Sequence, residues 1–93
     1  MTKEDILRIV VSRLEQAPYT QLASLRNAVK EKVAPQTRVD KKTALLTNEV
    51  IYDLLYGRVI TPGMDEHNLD LPWIHVSSPE KLAEIKEKLK QEV

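Results

Sequence analysis

The residues best suited to chemistry are few. His67 and His75 are the only imidazoles, and Asp65 and Glu66 stand beside the first of them. A metal site on these groups is conceivable. However, the two histidines are eight positions apart across a turn-rich segment, without the tight helical spacings that metal motifs use. No cysteine is present, which excludes disulfides, thiolate zinc sites and cysteine nucleophiles. Carboxylates are abundant, but no pair sits in surroundings that would tune one as acid and the other as base. With two glycines in all, there is no glycine-rich phosphate loop. The expectation is a protein that is not an enzyme and needs no metal or cofactor.

Charge is more informative. The 14 basic and 14 acidic residues cancel, whereas a dedicated nucleic-acid binder usually carries a basic excess. The charges are nevertheless segregated along the chain. From Arg26 to Lys42 there are six basic residues (Arg26, Lys30, Lys32, Arg38, Lys41, Lys42) against Glu31 and Asp40. From Met64 to Val76 there are Asp65, Glu66 and Asp70 and no Lys or Arg. The first stretch offers phosphate anchors or simply a solvated face. The second would repel phosphate.

The elements that must position these groups can be read from periodicity and punctuation. Thr2 to Gln16 reads as a helix capped by Thr2, with Asp5 completing a capping box and Ile6, Leu7, Ile9, Val10, Val11 and Leu14 forming its apolar side. Ala17-Pro18 ends it. Thr20 to Val33 reads as a second helix capped by Thr20, with Leu22, Leu25, Ala28, Val29 and Val33 inward. The connection Ala34 to Val39 is longer than a tight helix-turn-helix joint of ~3–4 residues. Asp40 to Tyr56 reads as the third helix. Asp40 caps it, and Ala44, Leu45, Leu46, Val50, Ile51, Leu54 and Leu55 recur at three- and four-residue steps. Gly57 suits a left-handed residue just past its end. Lys41, Lys42, Thr43, Thr47 and Asn48 are expected on the outward face, with Glu49 and Asp53 farther along.

Arg58 to Thr61 and Leu71 to Ser77 are the candidate strands, with Ile74 and Val76 inward and Pro62 to Asp70 as the connecting loop. Trp73 is either a core plug or an exposed anchor for a partner. Ser78 to Val93 reads as a fourth helix. Ser78 caps it, Pro79 takes its first position, and Ser77 with Glu80 offers a capping box. Leu82, Ile85 and Leu89 form a stripe suited to a homodimer seam or to folding back on the domain.

The order helix, helix, helix, strand, loop, strand, helix, with the joint Leu54-Leu55-Tyr56-Gly57-Arg58-Val59-Ile60-Thr61-Pro62-Gly63 and the segment Leu71-Pro72-Trp73-Ile74-His75-Val76-Ser77, resembles the winged helix-turn-helix family. It is most similar to the small prokaryotic winged-helix domains. The resemblance covers Thr2 to about Ser77. It implies a mostly α chain with a small β-hairpin (α+β), a three-helix core, a two-stranded wing and an extra C-terminal helix. The domain spans residues 2–77, and residues 78–93 form the added, dimerising helix.

In that family the third helix lies in the major groove and its early exposed residues reach base edges. The positions so implied here are Lys41, Lys42, Thr43, Thr47 and Asn48, with Arg26, Lys30 and Arg38 on phosphates. Lysine can donate to guanine, and asparagine can bond adenine at two points. The acidic loop departs from the family's basic wing. Two readings therefore stand: a transcriptional or nucleic-acid regulator on double-stranded DNA, or a protein-interaction module using the acidic wing and Trp73. No run reaches the ~18 apolar residues of a membrane span. Met1 to Val11 lacks a signal-peptide pattern, so a cytoplasmic location is the expectation.

Overall fold

The computed structural model describes residues 1–33 and 39–91. Its elements are α1 (Lys3–Gln16), β1 (Tyr19–Gln21), α2 (Leu22–Val33), α3 (Lys41–Tyr56), β2 (Ile60–Pro62), β3 (Trp73–Val76) and α4 (Pro79–Gln91). Four helices thus surround a small antiparallel sheet of three strands in the order β1-β3-β2. The expectations for Arg38 and for the side chain of Val33 lie outside the described residues.

The capping box of α1 forms as read. The Asp5 amide donates to Thr2 Oγ1 at 3.2 Å, and the Thr2 amide donates back to the Asp5 carboxylate at 2.9 Å. Ile6, Val10, Val11 and Leu14 are buried, with Leu7 and Ile9 half-buried beside them. They meet Leu22, Leu25 and Val29 of α2 and Val50, Ile51 and Leu54 of α3 in one aliphatic core, closed by Val59, Ile60 and Ile74 from the sheet side.

The sheet corrects the two-stranded expectation. Residues Tyr19 to Gln21, assigned in part to the cap of the second helix, are extended and pair with β3 in the register Tyr19↔His75, Thr20↔Ile74, Gln21↔Trp73. A two-stranded hairpin would leave one edge of β3 without partners. Here Pro18 O accepts from the Val76 amide at 2.8 Å, and Pro72 O accepts from the Leu22 amide at 3.0 Å. Helix α2 accordingly begins at Leu22. On its other edge β3 pairs with β2, Ile60↔Val76, Thr61↔His75 and Pro62↔Ile74.

The joint between α3 and β2 is also one residue displaced. Gly57 is right-handed (φ −76°), and Arg58 is the left-handed residue (φ 59°). The turn closes by Arg58 N–H donating to Leu55 O at 3.1 Å and Val59 N–H to Leu54 O at 3.0 Å, which satisfies two carbonyls of the last helical turn. Buried Leu54 and Val59 flank that closure.

Helix α4 is part of the same core. Leu82 and Leu89 are each 7% exposed, packed with the core residues, and Ile85 is half-buried against them. Arg8 on α1 donates to Leu89 O at 3.1 Å, and Lys86 bonds Glu15 at 2.8 Å. The apolar stripe read as suited to a dimer seam or to folding back packs on the chain's own core. Ser78 Oγ accepts from the Lys81 amide at 3.3 Å, but Ser77 forms no box with Glu80. Its hydroxyl donates to Arg58 O and accepts from Thr61 Oγ1.

Candidate nucleic-acid interface

Asp40 caps α3, accepting from the Thr43 amide at 2.7 Å. That backbone donor holds the Asp40 carboxyl below its ordinary range. The cap sets the phase of the helix. Thr43, Thr47, Val50, Ile51 and Leu54 turn inward, and Lys41, Lys42, Ala44, Leu45, Asn48, Glu49 and Tyr52 turn outward.

This phase corrects two candidate base readers. Thr43 is 5% exposed and Thr47 4%, so neither stands on the outward face expected of a base reader. Both occupy the inward stripe one helical position away from the one that Ala44 and Leu45 would define. A threonine can occupy that stripe because its hydroxyl finds a partner: Thr47 Oγ1 donates to Thr43 O at 2.8 Å. Leu45, expected in the core, is 56% exposed.

Of the remaining candidates, Arg26, Lys30 and Asn48 come together where α3 passes α2. Arg26 donates from Nη2 to Asn48 Oδ1 at 3.0 Å, linking the two helices on their outer side. A cleft of about 230 Å³ runs between them, lined by Arg26, Asn27, Lys30, Val39, Ala44 and Thr47. Lys30, Lys41 and Lys42 are exposed, and none forms an ion pair among the described residues. Two of the three acids in these helices are bonded to α1. Glu31 pairs with Arg13 at 3.5 Å, and Asp53 pairs with Lys3 at 2.9 Å. The Asp53 bond raises the Lys3 ammonium above its ordinary value. Glu49 is exposed beside Asn48.

The arrangement can hold a polyanion. Arg26, Lys30, Lys41 and Lys42 supply point and forked cations. Asn48 Oδ1 keeps a second lone pair and its amide keeps both protons, so it can still meet a purine edge while held by Arg26.

Sequence periodicity missed three exposed side chains on the outer face of α3. Leu45, Tyr52 and Tyr56 follow one another at helical steps, and Tyr56 is 80% exposed with its ring 6.0 Å from that of Tyr52. Their spacing from Lys41 and Asn48, rather than their hydropathy, was the available signal.

The histidines are apart in role. His67 is exposed, 3.7 Å from Glu66. His75 is half-buried, bonds Gly63 O through Nδ1 at 2.7 Å and stacks on Tyr19. No group of three or more His, Asp or Glu converges as metal ligands among the described residues. Trp73 is half-buried and lies outside the core, on the opposite side of β3 from Ile74. No helix among the described residues is long and apolar enough to cross a membrane.

Comparison with protein-family models, with curated proteins and with solved structures gives no match for this chain.

Proposed function

We propose that this chain is a winged-helix-type protein that binds double-stranded DNA as a transcriptional or nucleic-acid regulator. Helix α3 enters the major groove through Lys41, Lys42 and Asn48, and Arg26 and Lys30 neutralise flanking phosphates. The observation that carries the reading is the position of the acids. Glu31 and Asp53 are bonded to Arg13 and Lys3 of α1, Arg26 and Lys30 line one cleft between α2 and α3, and neither they nor the exposed Lys41 and Lys42 are bonded to a carboxylate among the described residues. The element order, with α3 passing directly into β2, supports the winged-helix form.

The test is duplex binding by fluorescence anisotropy across a salt series. Contact with about five phosphates gives a slope of roughly −4.5 in log affinity against log salt, or ~10²–10³ lost between about 50 and 200 mM. Lys41→Glu/Lys42→Glu reduces both affinity and slope. Absence of binding at low salt would remove the proposal.

A further inference from the structure

The charge absent from the α2–α3 face has its counterpart on the outer face of the sheet. Strand alternation puts Ile74 in the core and leaves Trp73 and His75 on the opposite side. The register sets Tyr19, His75 and Thr61 in one row across the three strands. The Tyr19 ring lies on His75 at 6.2 Å between centroids and 16° between planes.

Beside this pair runs a groove of about 280 Å³, whose lining includes Tyr19, Gly63, Met64, Asp65, Leu69 and His75. Tyr19 and Leu69 are 64% and 67% exposed, an aromatic and an aliphatic wall. The groove is preformed. Gly63 N–H donates to Trp73 O and Met64 N–H to Asn68 O, each at 2.7 Å. Asp65 Oδ1 accepts from the His67 and Asn68 amides and the Asn68 side chain, which fixes the tip of the loop.

The surrounding charge decides what fits. Between Arg58 and Lys81 every Asp, Glu, Lys and Arg is acidic: Asp65, Glu66, Asp70 and Glu80. Pro18 to Gln21 carry no charge. Asp65 Oδ1 is held by its loop, and Asp65, Glu66 and Asp70 are all exposed. We propose that this groove docks an arginine-containing polypeptide segment of a protein partner. A guanidinium would stack flat on the Tyr19–His75 pair and donate to the Asp65 carboxylate that lines the groove, with Glu66 and Asp70 adding negative charge from the same loop, and a neighbouring aliphatic side chain would cover Leu69 and Met64. The same acids repel phosphate, so this site and the α2–α3 face take ligands of opposite charge.

The experiment is a titration of the isotope-labelled full chain, followed by amide NMR shifts. The probes are a short peptide alternating arginine and leucine and its counterpart with glutamine for arginine. The arginine peptide shifts Tyr19, Gly63 to Leu69, Trp73 and His75, and the glutamine peptide does not. Glu66→Lys/Asp70→Lys weakens binding by about tenfold, as expected for reversing two exposed charges. Leu69→Ala, at an exposed position that leaves the core intact, also weakens it. Lys41→Glu/Lys42→Glu leaves it unchanged, and duplex titration of the same variants separates this site from the DNA reading. No shift, equal shifts with the glutamine peptide, or shifts spread over the acids of other helices would each overturn the proposal.

Discussion

Arg26 on α2 and Asn48 on α3 share a hydrogen bond of 3.0 Å although they lie 22 residues apart in sequence. The bond places a forked cation and an amide side by side on the outer face of two helices. Arg26→Gln should lower duplex affinity and make the salt slope shallower by roughly 0.9, the loss of one phosphate contact. Arg26→Lys should keep most of the slope because the charge is retained. Asn48→Ala should leave the slope unchanged and weaken discrimination among sequences. Anisotropy on a panel of duplexes measures all three.

Thr47→Val tests the corrected phase of α3. The hydroxyl is buried on its own helix, so replacing it by a methyl should change stability by no more than ~1 kcal/mol. Duplex affinity should be unaltered. A large loss of binding with unchanged stability would return Thr47 to the interface.

Arg58 and Gly63 carry the positive φ angles of the described chain, 59° and 112°. A side chain at a left-handed position costs about 1 kcal/mol that glycine does not, so Arg58→Gly should raise the urea midpoint modestly. Gly63→Ala should lower it. Its Cβ would meet Leu69 O at 3.2 Å, and the backbone conformation is strained for alanine by ~1–3 kcal/mol. The altered loop should also lose the arginine-peptide site before the α2–α3 face is affected.

Leu89→Ala should cost ~2–4 kcal/mol in urea unfolding, because the side chain fills the core between α1 and α4. The elution volume of the folded variant should match that of the parent chain. A change in assembly size without a change in stability would restore α4 as a subunit contact.

The pH dependence of stability should follow two pairs of exposed groups. Asp5 and Asp40 have carboxyls held below the ordinary 3.8 by amide donors, from Thr2 and Thr43 respectively. Their contribution is present above the unfolded value and is lost as pH falls through the lower folded value. Lys3 and Lys86 are raised above 10.5 by bonds to Asp53 and Glu15. Their contribution is present below 10.5 and is lost as pH climbs through the higher folded value. Thermal melts of the parent chain against Asp40→Asn should show a shallower acid limb in the variant.

Much of the fold was legible because its signals are local. The capping box of Thr2 and Asp5, the cap of Asp40 and the Ser78-Pro79 start of α4 each depend on residues within one turn. Three- and four-residue steps located α1, the buried part of α2 and the second half of α3 for the same reason. The candidate interface was legible in its cations, Arg26, Lys30, Lys41 and Lys42, because segregated charge is read directly from the order of residues along the chain. Thr43 and Thr47 were misplaced because a threonine can satisfy its hydroxyl on its own helix and pass for an apolar residue.

What the sequence by itself determined is the helical framework, the aliphatic core and the opposite charge of the α2–α3 segment and the loop after β2. These follow from side-chain chemistry and periodicity, which need no distant partner. Only the tertiary structure decided that Tyr19 to Gln21 is a strand, since its extended backbone is repaid by the free edge of β3 more than fifty residues away. It also decided that Leu82 and Leu89 cover α1, that Glu31 and Asp53 bond α1 cations, and that Tyr19 meets His75. Each of these is a pairing between distant segments, and its energy exists only once the core has brought both partners to the same place.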